Sequence, residues 1–466
     1  MRLCLLSAIF LTAPWVSAQD VAPLTETERA ALKVISERSV LSTVSFLSSD
    51  ELAGRDTPSK ELTIASAYVA ARFRGAGLEG LGPDGSYYQT HTVQTTQPPR
   101  SPAQLQTELG GISNLPVITG GADDLELSAR VLTAAEANEA TDPQIAVIPE
   151  IRVPPQAVGN PTYLLAMVAR EVRALTEKGV QVVLVEYSDE SVLREMAEKL
   201  LQKPLMPRQG MKPDCAVVLI PASRKIAGQQ VKLKVDPQRN TDVPVHNVLG
   251  VLRGADELLS KEAIIVSAHL DHIGLSSGGP DTINNGADDN ATGVTAVVSM
   301  ADAFTSLGAP PARSVIFCTF WGEEKGLVGS SRFVERPLWP LEKIAANINI
   351  EMVGRPEKDA REKAWMTGWV HSNLGEVMSV GSARAGVEIF HREDVSEMLY
   401  KRSDNYPFVN AGVIAHSFSA GSLHADYHQP SDEWEKLDIP HMTRVIQGLF
   451  AGSLHVAQGA KVEKRN

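Results

Sequence analysis

Cysteine is scarce in this chain, with three residues among 466. Cys4 belongs to the first apolar run, and Cys318 falls inside a predicted buried strand, where a thiol behaves as a small apolar side chain. An exported protein could oxidise Cys215 and Cys318, but the position of Cys318 favours a thiol in the core. We therefore expect no structural disulfide.

Positive charge is also in short supply. The chain has 44 lysines and arginines against 56 aspartates and glutamates, a formal net charge of -12 and a pI near 5.5. Nucleic acids and anionic membranes both favour a basic face on their protein partner. The sequence therefore predicts neither nucleic acid nor membrane as the main partner.

Beyond the first residues, the chain lacks an apolar run of the roughly 20 residues that a membrane span needs. It opens with "MRLCLLSAIFLTAPWVSAQD", in which Arg2 precedes an apolar stretch and small residues lead up to Ala18. This order is typical of a secretory signal peptide over residues 1–18, whereas a membrane anchor would need a longer apolar stretch. We expect an exported protein, either periplasmic or extracellular.

The length and the 43% hydrophobic content suffice for a large core and a second module. A helical pattern runs from Thr25 to Leu78, and within "TIASAYVAARFRGAGL" the residues Ile64, Ala67 and Tyr68 share one helix face. The prolines of "TTQPPRSPAQ" then mark a domain edge. We assign residues 19–97 to the N-terminal part of the catalytic domain.

Residues 98–243 are predicted to form a smaller, β-rich inserted domain. Short strand-like runs, "QIAVIPEIRV", "VQVVLVEYS" and "CAVVLIPAS", flank one helical pattern, "LLAMVAREVRALTEKG". The segment carries no cluster of histidine, cysteine or paired acids that points to chemistry. We expect a small folded insert.

Residues 244–460 alternate between strand, loop and helix. The strand candidates are "NVLGVLRG", "EAIIVSAHLD", "SVIFCTFWGEE", "ANINIEMVG" and "GVIAHSFSAG". Between them, "GVTAVVSMADAFTSLG" has an apolar helix face and ends at Gly308. This alternation predicts an α/β fold with a mixed, mainly parallel central sheet flanked by helices.

Polar residues collect where the predicted strands end. In open α/β sheets, ligands bind outside the carboxyl ends of the strands. Each of these residues alone has an ordinary structural explanation, such as a helix cap in "DDNATG", but their convergence on one sheet edge does not. They are His269, Asp271, Asp288, Asp289, Glu323, Glu324, Glu351, His424, Asp426, Tyr427 and His428.

Several carboxylates buried together need a neutralising positive charge. The basic residues near these strand ends, Lys325, Arg355 and the more distant Arg402, do not form a cluster. A pair of divalent ions is the economical solution, and mixed histidine and carboxylate ligands suit zinc or, less selectively, manganese or cobalt. Glu324 is then a ligand, and Glu323 is available as the carboxylate general base of a hydrolytic centre.

Five motifs in this order resemble peptidase family M28, the zinc exopeptidases, and within it the bacterial leucyl-aminopeptidase-like group. They are "SAHLDHIG", "GADDNATG", "WGEEKGLVGS", "INIEMVG" and "DYHQPSDEWEKLD", and they cover about residues 247–438. The earlier stretch "LSSDELAGRDTPS" is similar to the opening of that family. Residues 98–243 also resemble a protease-associated domain.

The resemblance implies two co-catalytic Zn²⁺ ions and a ligand for each position. His269 and Glu351 would bind one ion, Glu324 and His428 would bind the other, and Asp289 would bridge both. Asp288 is the neighbour of that bridge, and the family often has a cis peptide after the bridging aspartate, here Asp289-Asn290.

Catalytic roles follow from the same resemblance. Glu323 would be the general base that activates metal-bound hydroxide, Tyr427 would support the oxyanion, and Asp271 would hold the ring of His269. The substrates would be peptides with a free N-terminus, which lose their first residue.

Two positions depart from the family pattern. Glu351 stands where an aspartate is common, and the common "SDH" is Ser403-Asp404-Asn405. The alternatives are a zinc carboxypeptidase or dipeptidase on the same scaffold, a glutaminyl-cyclase-like enzyme with a single metal, or a binding module that has lost its chemistry. The filled ligand and base positions argue against the last two.

Overall fold

A computed structural model describes residues 22–97, 100–119, 124–150, 153–154, 158–202, 215–236, 239–276 and 279–465. The predicted signal peptide over residues 1–18 and the prolines at the predicted domain edge, Pro98 and Pro99, lie outside these ranges. The chain divides into a larger unit, Met1–His91 with Pro244–Asn466, and a smaller unit, Thr92–Val243. Within the described residues, every helix is too short or too polar to cross a membrane.

The helices of the described residues, numbered along the chain, are α1 (Glu26–Val34), α2 (Glu37–Leu47), α3 (Lys60–Gly75), α4 (Ala134–Glu139), α5 (Pro161–Glu177), α6 (Glu190–Gln202), α7 (Thr292–Thr305), α8 (Val328–Glu335), α9 (Leu374–Arg384), α10 (Ser396–Leu399), α11 (Asn405–Asn410) and α12 (Ile439–Ala457).

The strands, numbered in the same way, are β1 (Glu79–Gly80), β2 (Tyr88–Gln97), β3 (Ala103–Thr107), β4 (Gly110–Leu115), β5 (Val117–Thr119), β6 (Leu125–Thr133), β7 (Ile145–Ile148), β8 (Val182–Tyr187), β9 (Ala216–Pro221), β10 (Gln230–Val235), β11 (Arg239–Leu252), β12 (Ala263–His269), β13 (Ser314–Phe320), β14 (Ile344–Ile350), β15 (Lys363–Met366), β16 (Glu388–Phe390) and β17 (Ala415–Ser419).

The central sheet of the larger unit has the order β1-β11-β13-β12-β14-β17-β15-β16, and β2 pairs with β11. Its middle strands, β13, β12, β14 and β17, run parallel to one another. β11 and β15 join this block antiparallel, and β16 runs parallel to β15. The predicted mixed α/β fold is therefore confirmed. Parallel strands covered by helices are buried on both faces, and nearly every residue of the middle strands is buried.

The helices pack on this sheet through apolar faces. Almost all of α7 is buried, and the ring of Phe304 packs edge-on against Phe317 of β13 and Phe450 of α12. In α3 the face that carries Ile64 is exposed, whereas Leu62, Val69 and other residues of the opposite side are buried. Apolar residues lie on both sides of α3, so periodicity alone did not identify its core face.

The smaller unit has its own sheet, in the order β4-β3-β10-β6-β7-β8-β9-β5. β6, β7, β8 and β9 are parallel, and α5 is the helix that the sequence predicts. The helix α6 was not among the predicted elements. Its start carries a local signal, since the Asp189 carboxylate accepts hydrogen bonds from the backbone of Ser191 and Val192. The resemblance to a protease-associated domain stays a prediction.

Candidate metal centre

The middle strands bring the predicted site residues to one edge of the sheet. His269 is the last residue of β12 and stands in register with Phe320, the last residue of β13. Glu323 and Glu324 follow β13 after a short turn, and Glu351 directly follows β14. Because these strands are parallel, their carboxyl ends meet at the same edge.

The first of two side-chain groups that could hold a metal ion consists of His269, Asp289 and Glu351. The Nε2 atom of His269 lies 3.2 Å from Asp289 Oδ1 and 3.2 Å from Glu351 Oε2. His269 and Asp289 are buried. These are the three residues predicted for one metal.

The second group consists of His272, Asp289, Glu324 and His428. His428 Nε2 lies 3.1 Å from Asp289 Oδ2 and 3.2 Å from Glu324 Oε1. Asp289 thus offers one carboxylate oxygen to each group, as a bridging ligand would. Three of the four residues are those predicted for the second metal, and His272 is an addition.

Two buried atoms of the second group lack a hydrogen bond to any described residue. His428 Nε2 and Asp289 Oδ2 are buried and have no hydrogen-bond partner among the described residues, although they lie 3.1 Å apart. Such orphaned atoms are rare in native interiors and call for an explanation such as an ion. Imidazole and carboxylate ligands within 4.8 Å of one another fit zinc.

The charges of the first group also favour a cation. Burial opposes protonation of the His269 ring, yet the neighbouring carboxylates of Glu351 and Glu323 raise its pKa well above the ordinary value. The pocket therefore stabilises positive charge at this position. A divalent ion bound by His269, Asp289 and Glu351 would supply that charge.

The adjacent glutamates Glu323 and Glu324 have opposite electrostatic environments. Burial, reinforced by neighbouring carboxylates, raises the pKa of Glu323 well above its usual range. Burial also acts on Glu324, but contacts with the rings of His272 and His428 overcome it and lower the pKa of Glu324 to about 2. Neighbouring carboxyl groups whose pKa values are driven apart are suited to different roles.

Asp271 makes a different contact from the one predicted. The Nδ1 atom of His269 lies 3.0 Å from the backbone carbonyl oxygen of Asp271, whereas the Asp271 carboxylate is 3.9 Å away. That carboxylate accepts hydrogen bonds from the backbone N–H of Glu323 and the hydroxyl of Thr57. Asp271 therefore fixes the His269 ring through its main chain and the Glu323 turn through its side chain.

Glu351 is held by two polar side chains on its far oxygen. Its Oε1 accepts hydrogen bonds from Ser403 Oγ at 2.6 Å and Asn349 Nδ2 at 2.8 Å, which leaves Oε2 facing His269. The side chain of Asn405, which replaces the family histidine, donates to the carbonyl oxygen of Tyr400. Glu351, which is longer than the aspartate common at this position, is thus held by hydrogen bonds from Ser403 and Asn349.

The loop that carries Asp289 is fastened from two directions. The buried Asp432 carboxylate accepts hydrogen bonds from the backbone N–H groups of Asp288 and Asp289. Asn290 bonds both the Ile350 carbonyl oxygen and the Met352 N–H, which flank Glu351. The peptide bond between Asp289 and Asn290 is cis, as the resemblance implies.

Asp288 and His424 lie outside both metal groups. The Oδ1 atom of Asp288 accepts a hydrogen bond from the backbone of Gly354, and its Oδ2 lies 3.1 Å from His424 Nε2. Arg355 in turn contacts His424 and forms an ion pair with Asp426. These predicted candidates support the loops behind the site.

A fully buried cation, Arg55, lies behind both groups. Its guanidinium donates hydrogen bonds to the carbonyl oxygens of Leu47, Leu270, Asn285 and Gly286. Burial lowers the pKa of Arg55 to about 10, and the carboxylates around the site limit that fall. Arg55 therefore joins the loop after His269 to the loop before Asp289.

Both groups open into a cleft of about 360 Å³, and its walls include Tyr427, whose ring stacks on His428. Burial raises the pKa of the Tyr427 hydroxyl, so the group stays protonated and can donate a hydrogen bond. Of the aromatic residues near the site, Trp321, Tyr400 and Phe418 are buried and Tyr406 is partly buried.

Sequence reasoning missed three residues of this centre: His272, Asp432 and Arg55. His272 directly follows Asp271 in "SAHLDHIG", and Asp432 lies in "QPSDEW", so both were within recognised motifs. Arg55 lies more than two hundred residues before Leu270 and Asn285, whose carbonyl oxygens it contacts, so no local spacing connects it with the site. The "LAGR" stretch was the only available signal.

An α/β sheet whose strand ends hold histidines and carboxylates suited to a metal ion, beside a further carboxyl group, fits a metal-dependent hydrolase. Residues 247–451 match the model of peptidase family M28. This segment, which is less than half of the chain, is similar to that family.

Two curated relatives have different activities in their names. Aminopeptidase YwaD of Bacillus subtilis is 25% identical over 244 residues, which are 51% of this chain and 50% of that protein. A probable glutamate carboxypeptidase of Arthroderma benhamiae is 32% identical over 237 residues, or 46% of this chain and 31% of that protein. The chain therefore spans half or less of the length of these relatives.

Two solved structures share the fold. An aminopeptidase from Aneurinibacillus sp. strain AM-1 has a TM-score of 0.50 and 19% identity, with 93% of this chain and 96% of that chain covered. A zinc aminopeptidase from Bacillus subtilis, BSAP, has a TM-score of 0.50 and 19% identity, with 90% and 95% covered.

Proposed function

We propose that this protein is a zinc-dependent aminopeptidase that holds two ions and removes N-terminal residues from peptides. The observation that carries the proposal is the shared carboxylate of Asp289, which faces His269 and Glu351 on one side and Glu324 and His428 on the other. The match of residues 247–451 to the model of peptidase family M28 supports the reaction class.

Zinc bound by these residues would lower the pKa of a coordinated water molecule and polarise the substrate carbonyl. Glu323, which is not needed as a ligand, takes the proton of the attacking water and delivers it to the leaving amine. Its backbone N–H donates to the Asp271 carboxylate, so the turn that carries Glu323 is held in place. The Tyr427 hydroxyl donates a hydrogen bond to the developing oxyanion.

We also propose that the free N-terminal amine of the substrate binds near Glu351. This carboxylate lines the cleft and belongs to the first metal group. An ammonium group there gains charge-assisted contacts that an acylated terminus cannot make.

The test is hydrolysis of short peptides with free and with acetylated N-termini by zinc-loaded protein, with and without a chelator. We expect cleavage of the free-amine set alone, abolished by the chelator and restored by zinc. Cleavage of both sets from the carboxyl end would instead establish a carboxypeptidase, which the similarity to a probable glutamate carboxypeptidase favours as second candidate. An inactive protein with both ions bound would refute the proposal.

Export to the periplasm or the medium remains part of the proposal, and it rests on the pattern of residues 1–18. Expression of the full chain in a bacterial host, followed by fractionation and N-terminal sequencing, tests it. A product that begins after Ala18 in the exported fraction is expected, whereas an uncleaved cytoplasmic product would contradict it.

A further inference from the structure

We propose that Arg402, assisted by Lys401, forms a carboxylate-binding subsite in the cleft, so that the preferred substrate carries a negative charge close to its N-terminal amine. The inference rests on the proposed aminopeptidase function and narrows its substrate class. The observation behind it is a pair of cations that line the same cleft as the metal groups.

Arg402 differs from the other basic residues near the strand ends because its side chain has no ion-pair partner among the described residues. Lys325 forms an ion pair with Asp56 at 2.6 Å, and Arg355 forms one with Asp426 at 2.7 Å. Within the part of the chain that the structure describes, the side chain of Arg402 makes no ion pair and is exposed. An unpaired guanidinium in a cleft is free to bind a carboxylate in two-point fashion.

The loop that carries Arg402 is fixed on both sides. The backbone N–H of Arg402 donates to the carbonyl oxygen of Leu399 at 3.1 Å. The next residue, Ser403, donates to Glu351, and Asn405 closes the loop onto Tyr400. Because the loop is already ordered, little backbone entropy is lost when a ligand binds.

The position of this loop relates the cation to the substrate. Consecutive Cα atoms are about 3.8 Å apart, so Arg402 is one residue from the direct contact between Ser403 and Glu351. If the substrate amine lies at Glu351, the side chain of the first residue is the nearest other part of the substrate. An aspartate or glutamate there would place its carboxylate next to Arg402.

The carboxylate that Arg402 binds has a second possible origin, the C-terminus of a dipeptide substrate. An extended dipeptide spans about 7 Å, so its terminus also remains within the cleft. Hydroxyl side chains of Thr367 and Ser422 line the walls and can donate further hydrogen bonds to a carboxylate. Both sources present a carboxylate to Arg402, and a comparison of suitable substrates distinguishes the side-chain carboxylate from the C-terminal one.

The experiment compares kcat/KM for the p-nitroanilides of glutamate, glutamine and leucine, which lack a C-terminal carboxylate, with the dipeptide Gln-Gly and its C-terminal amide. The proteins are wild type, Arg402→Gln, Lys401→Gln and the control Arg332→Gln. Arg332 pairs with Glu335 on α8, and neither residue lines the cleft.

We expect the wild type to prefer glutamate over glutamine p-nitroanilide by roughly 10- to 100-fold. Arg402→Gln should bring this ratio close to one while cleavage of the glutamine and leucine substrates persists, and Lys401→Gln should reduce it partly. The control should keep the wild-type ratio. A preference for Gln-Gly over its amide that disappears in Arg402→Gln would equally support the subsite and assign it to the C-terminus.

Two outcomes would refute the subsite without refuting the aminopeptidase function. One is hydrolysis without any charge preference, and the other is an equal loss of kcat/KM on every substrate in Arg402→Gln. Failure of zinc-loaded wild type to cleave any free-amine substrate would refute the function itself. Calorimetric binding of L-glutamate and L-glutamine to wild type and to Arg402→Gln then tests the subsite independently of turnover, because affinities for both ligands that Arg402→Gln leaves unchanged would refute it.

Discussion

The turn after β13 gives two adjacent residues different environments. Glu324 meets the rings of His272 and His428, whereas Glu323 is buried among carboxylates and keeps its proton more firmly. A carboxyl group with a raised pKa is a competent proton carrier, and an ionised one is a competent ligand.

Replacing Glu323 with glutamine should therefore separate catalysis from metal binding. The amide keeps the size of the side chain but cannot carry the proton, so kcat should fall by roughly 10²- to 10⁴-fold. Zinc content, measured by atomic emission, should stay at the wild-type value. The matched variant Glu324→Gln should lose zinc, and a Glu323→Gln protein that also loses zinc would identify Glu323 as a ligand.

His272 provides a second prediction at the scale of one residue. Its Nδ1 lies 2.9 Å from Glu324 Oε1, and its buried Nε2 has no hydrogen-bond partner among the described residues. An unpartnered acceptor is easier to bury than an unpartnered N–H donor, so we place the proton on Nδ1, where it is donated to Glu324. His272 then orients a ligand and does not bind the ion itself.

Asparagine can reproduce the Nδ1 donor, and phenylalanine cannot. His272→Phe should weaken zinc binding by roughly 10- to 100-fold, and His272→Asn should weaken it less. Competition for zinc with a chromophoric chelator measures both affinities without a substrate. Equal losses in the two variants would indicate that the ring acts by coordination or by packing.

At the scale of elements, the strand ends and the apolar face of α7 were predictable, whereas the buried face of α3 was not. In a parallel sheet, the charged residues that end buried strands all lie at the carboxyl edge. The sequence was therefore sufficient to place His269, Glu323 and Glu351 at that edge. The buried side of α3 depended on which neighbours cover it, and both sides of that helix are apolar. Contacts between distant segments, such as those of Arg55, leave no periodic signal in one sequence.

Arg55 leads to a prediction about how those segments are joined. Its guanidinium satisfies four buried carbonyl oxygens from three parts of the chain. Arg55→Met leaves these acceptors without donors, and we expect the free energy of unfolding to fall by about 3 kcal/mol or more. Urea unfolding measures it, with Arg38→Met, an exposed arginine of α2, as the control. Equal midpoints for the two variants would contradict this role.

For the whole molecule, metal removal should lower stability as well as activity. Ions that bind only the folded state stabilise it by about 2.7 kcal/mol at a hundred times the dissociation constant. A chelator should therefore lower the Tm in differential scanning calorimetry, and zinc, but not calcium, should restore it because the ligand set includes imidazoles. A Tm that is insensitive to the chelator, in protein shown to have lost its zinc, would contradict a stabilising metal centre.

Acid should destabilise the protein through a histidine that belongs to neither metal group. His416 of β17 is buried, with Nδ1 donating to the Thr367 carbonyl oxygen and Nε2 accepting from the Ser372 hydroxyl. Burial of this neutral ring lowers its pKa from 6.5 to about 4. In the unfolded chain the ring binds a proton at higher pH than in the folded protein, so its contribution to stability is complete above pH 6.5 and is lost as the pH falls toward 4.

The predicted size of this loss is about 3 kcal/mol, because each pKa unit corresponds to about 1.4 kcal/mol. His416→Asn retains a donor toward Thr367 but cannot titrate, so the difference in unfolding free energy between wild type and variant isolates the ring from the other acids. We expect wild type to lose about 3 kcal/mol relative to His416→Asn between pH 7 and pH 4 in urea titrations. Parallel pH profiles of the two proteins would mean that His416 is protonated in the folded state as readily as in the unfolded chain.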